Sequence, residues 1–96
     1  MSLISTYLKL TKDYEDKYGE KTVVLMMVGS FYEIYGEKNI NKDGSFYITG
    51  SRIEDISKIC DLSIAQKTAQ HVMAGFTYTK IDKYIKNYKM LDIHLS

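Results

Sequence analysis

At 96 residues, 45% hydrophobic and 26% charged, the chain has the size of one small domain and the composition of a folded globular protein, which excludes a disordered segment. A net charge of +1 argues against tight nucleic-acid binding by phosphate neutralisation alone, but not against base reading, because phosphate contacts hold while base contacts specify. No apolar run approaches the roughly 18 residues of a membrane span, the N-terminus lacks the flank and core of a signal peptide, and the single cysteine, Cys60, cannot form an internal disulfide, so no membrane partner and an intracellular home are expected.

Residues from Ser2 to Tyr18 read as an amphipathic helix, with Ile4, Tyr7, Leu8, Thr11, Tyr14 and Tyr18 on one face and Gly19 as its stop. The run Thr22 to Val28 is apolar on both alternations, as a strand buried on both faces should be. Phe31 to Tyr35 alternates less clearly and is taken as a second strand. Gly36 to Ser45 is turn-rich, and its Asp43-Gly44 pair predicts a hairpin closed by a short strand, Phe46 to Thr49.

Ser51 and Glu54 have the spacing of a capping box, and Ile53, Ile56, Ile59 and Cys60 continue as a helix face that Asp61-Leu62 ends. Ser63 to Thr68 and His71 to Phe76 read as strands around a turn at Ala69-Gln70. Thr79 to Asp82 is a weaker cap signal for a helix carrying Ile81, Tyr84, Ile85 and Tyr88, and Met90 to Ser96 alternates like a last strand. The order α, β, β, α, β, β, α, β predicts an α+β domain with a small mixed sheet and three helices.

The densest chemistry lies at Val28-Gly29-Ser30-Phe31-Tyr32-Glu33-Ile34-Tyr35-Gly36. A flat ring beside a hydrogen-bonding carboxylate is suited to probing a nucleobase by stacking and by edge contact. If this segment is extended, Phe31 and Glu33 share one face and Tyr32 takes the other. On residue type alone an aromatic in a strand reads as core or cross-strand packing. Gly29 reads as a backbone requirement, through positive φ or close approach. His71 and His94 have no companions at metal-ligand spacing, so no metal site is expected.

This stretch resembles the Phe-x-Glu mismatch-reading motif of the N-terminal domain, domain I, of MutS-family mismatch repair proteins. A second block runs from Leu62 to Asn87. Within it, Leu62-Ser63-Ile64 is similar to the family's Leu-x-Ile-Ser-Leu strand start. Met73-Ala74-Gly75-Phe76 with Tyr78 resembles its Met-Ala-Gly-Ile-Pro-Tyr-His segment. Tyr7-Leu8-Lys9-Leu10 fits the pattern at the family's start. Departures suggest a divergent branch. Met27 and Ser30 stand where bacterial relatives usually carry arginine and aspartate, Thr77 and Thr79 replace a proline and a histidine, and residues Asn39 to Thr49 look like an insertion.

The resemblance implies that Phe31 is a wedge entering the minor groove at a mispaired or unpaired base, and that Glu33 contacts the edge of the displaced base. It reverses the packing interpretation for these two residues only; Tyr32 and Tyr35 keep theirs. Lys67, Lys80 and Lys83 are candidate contacts to the DNA backbone, each competing with simple solvation. The implied partners are double-stranded DNA with mismatches or unpaired bases, the remaining MutS domains and a second subunit. No cofactor is expected on this chain; ATP and Mg belong on other domains, since no Gly-x-x-x-x-Gly-Lys-[Ser/Thr] loop is present here. Residues 1–96 are then expected to be a single, non-enzymatic domain excised from a longer protein. Two other classes compete: a metal-dependent nuclease using Glu33, Glu37, Asp43, Glu54 and Asp55, and a protein-interaction module docking through exposed tyrosines.

Overall fold

The computed structural model describes residues 2–84 together with the backbone of residues 89–93. Helix α1 (Leu3–Tyr18) leads into β1 (Thr22–Val28), β2 (Phe31–Ile40) and β3 (Phe46–Thr49). Helix α2 (Ile53–Ile59) follows, then β4 (Ala65–Thr68), β5 (His71–Thr77), a short 3-10 turn (Tyr78–Lys80), α3 (Ile81–Tyr84) and β6 (Lys89–Ile93). The strands form one sheet in the order β4-β5-β2-β1-β6, with β3 paired to the far half of β2. Strand β6 runs parallel to β1 and the other pairings are antiparallel, so the sheet is mixed and the expected α+β architecture holds.

Helix α1 starts where Ser2 Oγ accepts the backbone N–H of Ser5 at 3.1 Å, and it ends at Gly19, whose φ of 108° no other residue adopts readily. Its Tyr7 and Thr11 are buried, with Ile4, Leu8 and Tyr14 packed at the margin. Tyr18, expected on that face, instead stays exposed and stacks on Tyr14. The Tyr7 ring meets Tyr35 edge-on at 5.2 Å between centroids, and its hydroxyl donates to the Val24 carbonyl at 2.7 Å. These contacts place α1 on the sheet face that carries Tyr35. The opposite face is covered by α2, through Ile53 and Ile56, and by α3, where Tyr84 packs edge-on against Phe76.

Three local expectations are corrected. Strand β2 runs on through Gly36 to Ile40, so the turn shrinks to Asn41–Ser45, and the expected hairpin partner forms across it as β3. Glycine suits this strand interior because a Cβ at Gly36 would lie 2.8 Å from Cγ2 of both Ile48 and Ile53. The capping box does not form. Arg52 occupies the cap position, and Ser51, one residue earlier, accepts from Ile53 N–H while its hydroxyl donates to the Tyr35 carbonyl at 2.5 Å. Ser63 and Ile64 precede β4 rather than belonging to it. Of the last helix and tail, residues 85–88 and 94–96 lie outside the described residues.

Gly36→Ala inserts a methyl between two isoleucines with no space to receive it. Overpacking of this kind costs about 1–3 kcal/mol. Urea unfolding should show a stability lowered by that amount, read as a lower midpoint at unchanged slope; an unchanged midpoint would contradict the packing described at Gly36.

Candidate nucleic-acid interface

Strands β1 and β2 are joined by the two residues Gly29 and Ser30, with Val28 paired to Phe31. Gly29 has φ +61° and sits at the first central position of this tight hairpin, where a II′ turn requires glycine. A Cβ there would touch nothing within 4 Å, so the requirement is conformational and not one of close approach. The turn is tied from its other side, where Tyr78 N–H donates to the Ser30 carbonyl at 2.9 Å. Phe31 thus begins a strand paired on both flanks, to Val28 in β1 and to Thr77 in β5.

The backbone at Phe31 is held in the sheet while the residue remains 49% exposed. Directly paired residues point to the same face of a sheet, so Val28, Phe31 and Thr77 form one row. Met26, Glu33 and Gly75 form the next row. Tyr35 and Met73 follow. Along β2 the three residues of this face grade inward: Phe31 is exposed, Glu33 half-buried and Tyr35 only 2% exposed beneath α1. Tyr32 alternates to the other face and is buried against Phe76, with 5.7 Å between ring centroids.

Gly75 faces Glu33 across the β2–β5 pair. A Cβ there would lie 2.9 Å from the Tyr32 carbonyl, so the close approach of the two backbones requires glycine. The Glu33 carboxylate accepts a hydrogen bond at Oε1 from the Tyr35 hydroxyl. Burial first, then the bond to Glu33 and its charge, hold the Tyr35 phenol far above the ordinary tyrosine range. Burial does the same for Tyr7. Sequence reasoning gave Tyr35 a packing role and missed its hydroxyl. The alternation that pairs Phe31 with Glu33 reaches Tyr35 two residues later and was the available signal.

The three candidate lysines do not gather in one place. Lys80 and Lys83, both exposed, follow the end of β5 that pairs with Phe31. Lys67 is exposed on β4 beside the β4–β5 turn, whose His71 pairs with Glu37. Six residues of strand separate Glu37 from Phe31, roughly 20 Å. Exposed Tyr78 and Val28 flank the Phe31 end, and residue type alone had marked neither. Arg52 is used elsewhere: its guanidinium lies 3.3 Å from Asp55, 3.6 Å from Glu20 and 3.9 Å from Glu15, tying α2 to the end of α1.

Among the described residues no three His, Cys, Asp or Glu side chains cluster in a way that could hold a metal ion, and no helix is long and apolar enough to cross a membrane. Cys60 is a free, buried thiol whose titration burial pushes up.

The fold and this edge define a class: an α+β domain that offers an aromatic ring and a carboxylate from the start of one pinned strand. The family model of MutS domain I matches residues 1–91, and the chain belongs to that family, a DNA-binding domain of DNA mismatch repair. No curated protein and no solved structure matches the chain significantly.

The two buried phenols set a pH dependence. With folded-state values above the ordinary 10.0, the folded chain retains protons that the unfolded chain releases. Their contribution is complete below that value and is lost as pH rises beyond it, at about 1.4 kcal/mol per pH unit for each group. Urea unfolding at about pH 9 and about pH 11 should show a smaller alkaline loss for Tyr7→Phe than for the wild type. Equal losses would contradict the protonated, buried state of Tyr7.

Proposed function

We propose that this domain reads mispaired or unpaired bases in duplex DNA, with Phe31 as the wedge and Glu33 as the edge contact. The observation that carries the reading is the exposed Phe31 ring on a backbone fixed by pairing on both flanks. Inserting a side chain between base steps costs a few kcal/mol of unstacking. A mismatch has already lost part of its pairing energy, so the same deformation is easier there, and that difference is the selectivity. No sequence code is needed, which suits a chain with a single arginine engaged in scaffolding.

A carboxylate inside a polyanion's groove is disfavoured electrostatically. Glu33 therefore either accepts a base N–H or takes up a proton and donates it to a ring nitrogen. Tyr78 and Val28 extend the surface beside the wedge, and Lys80 and Lys83 lie toward the same end as phosphate contacts. The net charge of +1 gives the domain little hold on DNA by itself. Other domains and a second subunit supply the clamp in this reading, and ATP and Mg act there, the chain being one domain of a longer protein.

The test is a competition titration of matched and single-mismatch duplexes against the full polypeptide that carries this chain. Phe31→Ala should lower affinity for the mismatch by roughly the worth of one base–aromatic stack, about 1–3 kcal/mol, and bring the two affinities together. A preserved preference would exclude the wedge. Glu33→Ala should raise affinity for matched DNA more than for mismatched DNA; equal losses on both duplexes would exclude the edge contact.

A further inference from the structure

We propose that Tyr35 is a positioning residue for base reading, assigning the contact with the base to Oε2 of Glu33. The proposal rests on the reading of Glu33 given above. A phenol has one hydrogen to donate, and Tyr35 gives it to Glu33 Oε1. The terminal torsion of a glutamate is otherwise broad and roughly two-fold, so an unheld carboxyl presents either oxygen in a range of orientations. With Oε1 holding the phenol's hydrogen, Oε2 is the oxygen with its full acceptor capacity open to a base. An ionised Glu33 then accepts a base N–H at Oε2. A protonated Glu33 carries its proton on Oε2 and donates from there, with Oε1 still accepting from the phenol.

Tyr35 is built to hold that position. Its ring is buried and meets the Tyr7 ring edge-on at 5.2 Å, and Tyr7 is itself anchored by its hydroxyl to the Val24 carbonyl at 2.7 Å. The Tyr35 backbone pairs with Met73, and its carbonyl accepts from Ser51 Oγ at 2.5 Å. The half-buried Glu33 thus stands between an exposed ring and an anchored donor, all three on one face of β2.

The test compares the ratio of mismatched to matched affinity in the full polypeptide for the wild type, Tyr35→Phe, Glu33→Ala and the double variant, with Phe31→Ala as reference. Removing only the hydroxyl keeps the ring in its packing. Tyr35→Phe should lower the ratio about two- to tenfold, the range of one net hydrogen bond. It should have no further effect in the Glu33→Ala background, a coupling that a merely structural role would not produce. A wild-type ratio in Tyr35→Phe, with Phe31→Ala abolishing the preference, overturns the positioning role and leaves the wedge standing. An equal effect of Tyr35→Phe with and without Glu33 overturns it too. No effect of Phe31→Ala removes both readings. A measurement independent of how Tyr35→Phe folds is proton NMR of the wild-type chain. A slowly exchanging Tyr35 hydroxyl resonance that moves in Glu33→Ala is expected; a resonance indifferent to Glu33 overturns the assignment.

Discussion

The hydrogen bonding of β2 on both flanks is the constraint on which the rest depends. Pairing with β1 and β5 from its first residue fixes the pleat, and the pleat decides which side chains share a face. A slip of one residue would send Phe31 and Glu33 to the face that holds Tyr32 and Ile34, and would bring those residues out from under α2 and α3. The register is held at its start by the glycine turn and by the Tyr78 bond to Ser30. It is held further along by Ile34 and Tyr35, both buried. The same contacts that stabilise the domain therefore decide which side chains the Phe31 edge presents.

Along one face of that strand, environment changes over five residues from solvent to core. Leaving Phe31 half exposed forgoes part of the roughly 1.5–3 kcal/mol that full burial of a phenylalanine contributes, which matters in a small domain of marginal stability. The domain can sustain this because the covering helix α1 packs over the Tyr35 end, where Tyr7, Val24 and Tyr35 close the core. Glu33 falls at the boundary, close enough to the core to reach a fixed hydroxyl and close enough to solvent to meet a ligand. A carboxylate deeper in would be costly to ionise, and one farther out would lose its anchor.

Much of this was legible in the residues. Helical spacing from Ile4 to Tyr14 gave α1 and its face, and the apolar run Thr22 to Val28 gave a strand buried over most of its length. Two-residue alternation placed Phe31 and Glu33 together, as the strand burial pattern has it. What failed were the points where tertiary contacts outweigh local preference. Gly36 looks like a turn former, but here its missing side chain admits Ile48 and Ile53 against the sheet. Ser51 and Glu54 have the right spacing for a cap, but the Ser51 hydroxyl is drawn to the Tyr35 carbonyl. The bond from Tyr35 to Glu33 was hidden because a buried tyrosine is explained well enough by its ring. The dispersal of Lys67 from Lys80 and Lys83 depends on strand order, which no local pattern encodes.

The central claim is that the pleat of β2 turns Phe31 outward, where we propose it meets a mispaired base step, and turns Tyr32 into the core. Photo-crosslinking tests this most directly, with p-benzoylphenylalanine placed at position 31 or at position 32 of the full polypeptide and a duplex carrying one mismatch. The account predicts adducts from position 31 at the mispaired nucleotide and none from position 32. Adducts from position 32, or adducts from position 31 spread evenly along matched and mismatched DNA, would contradict it.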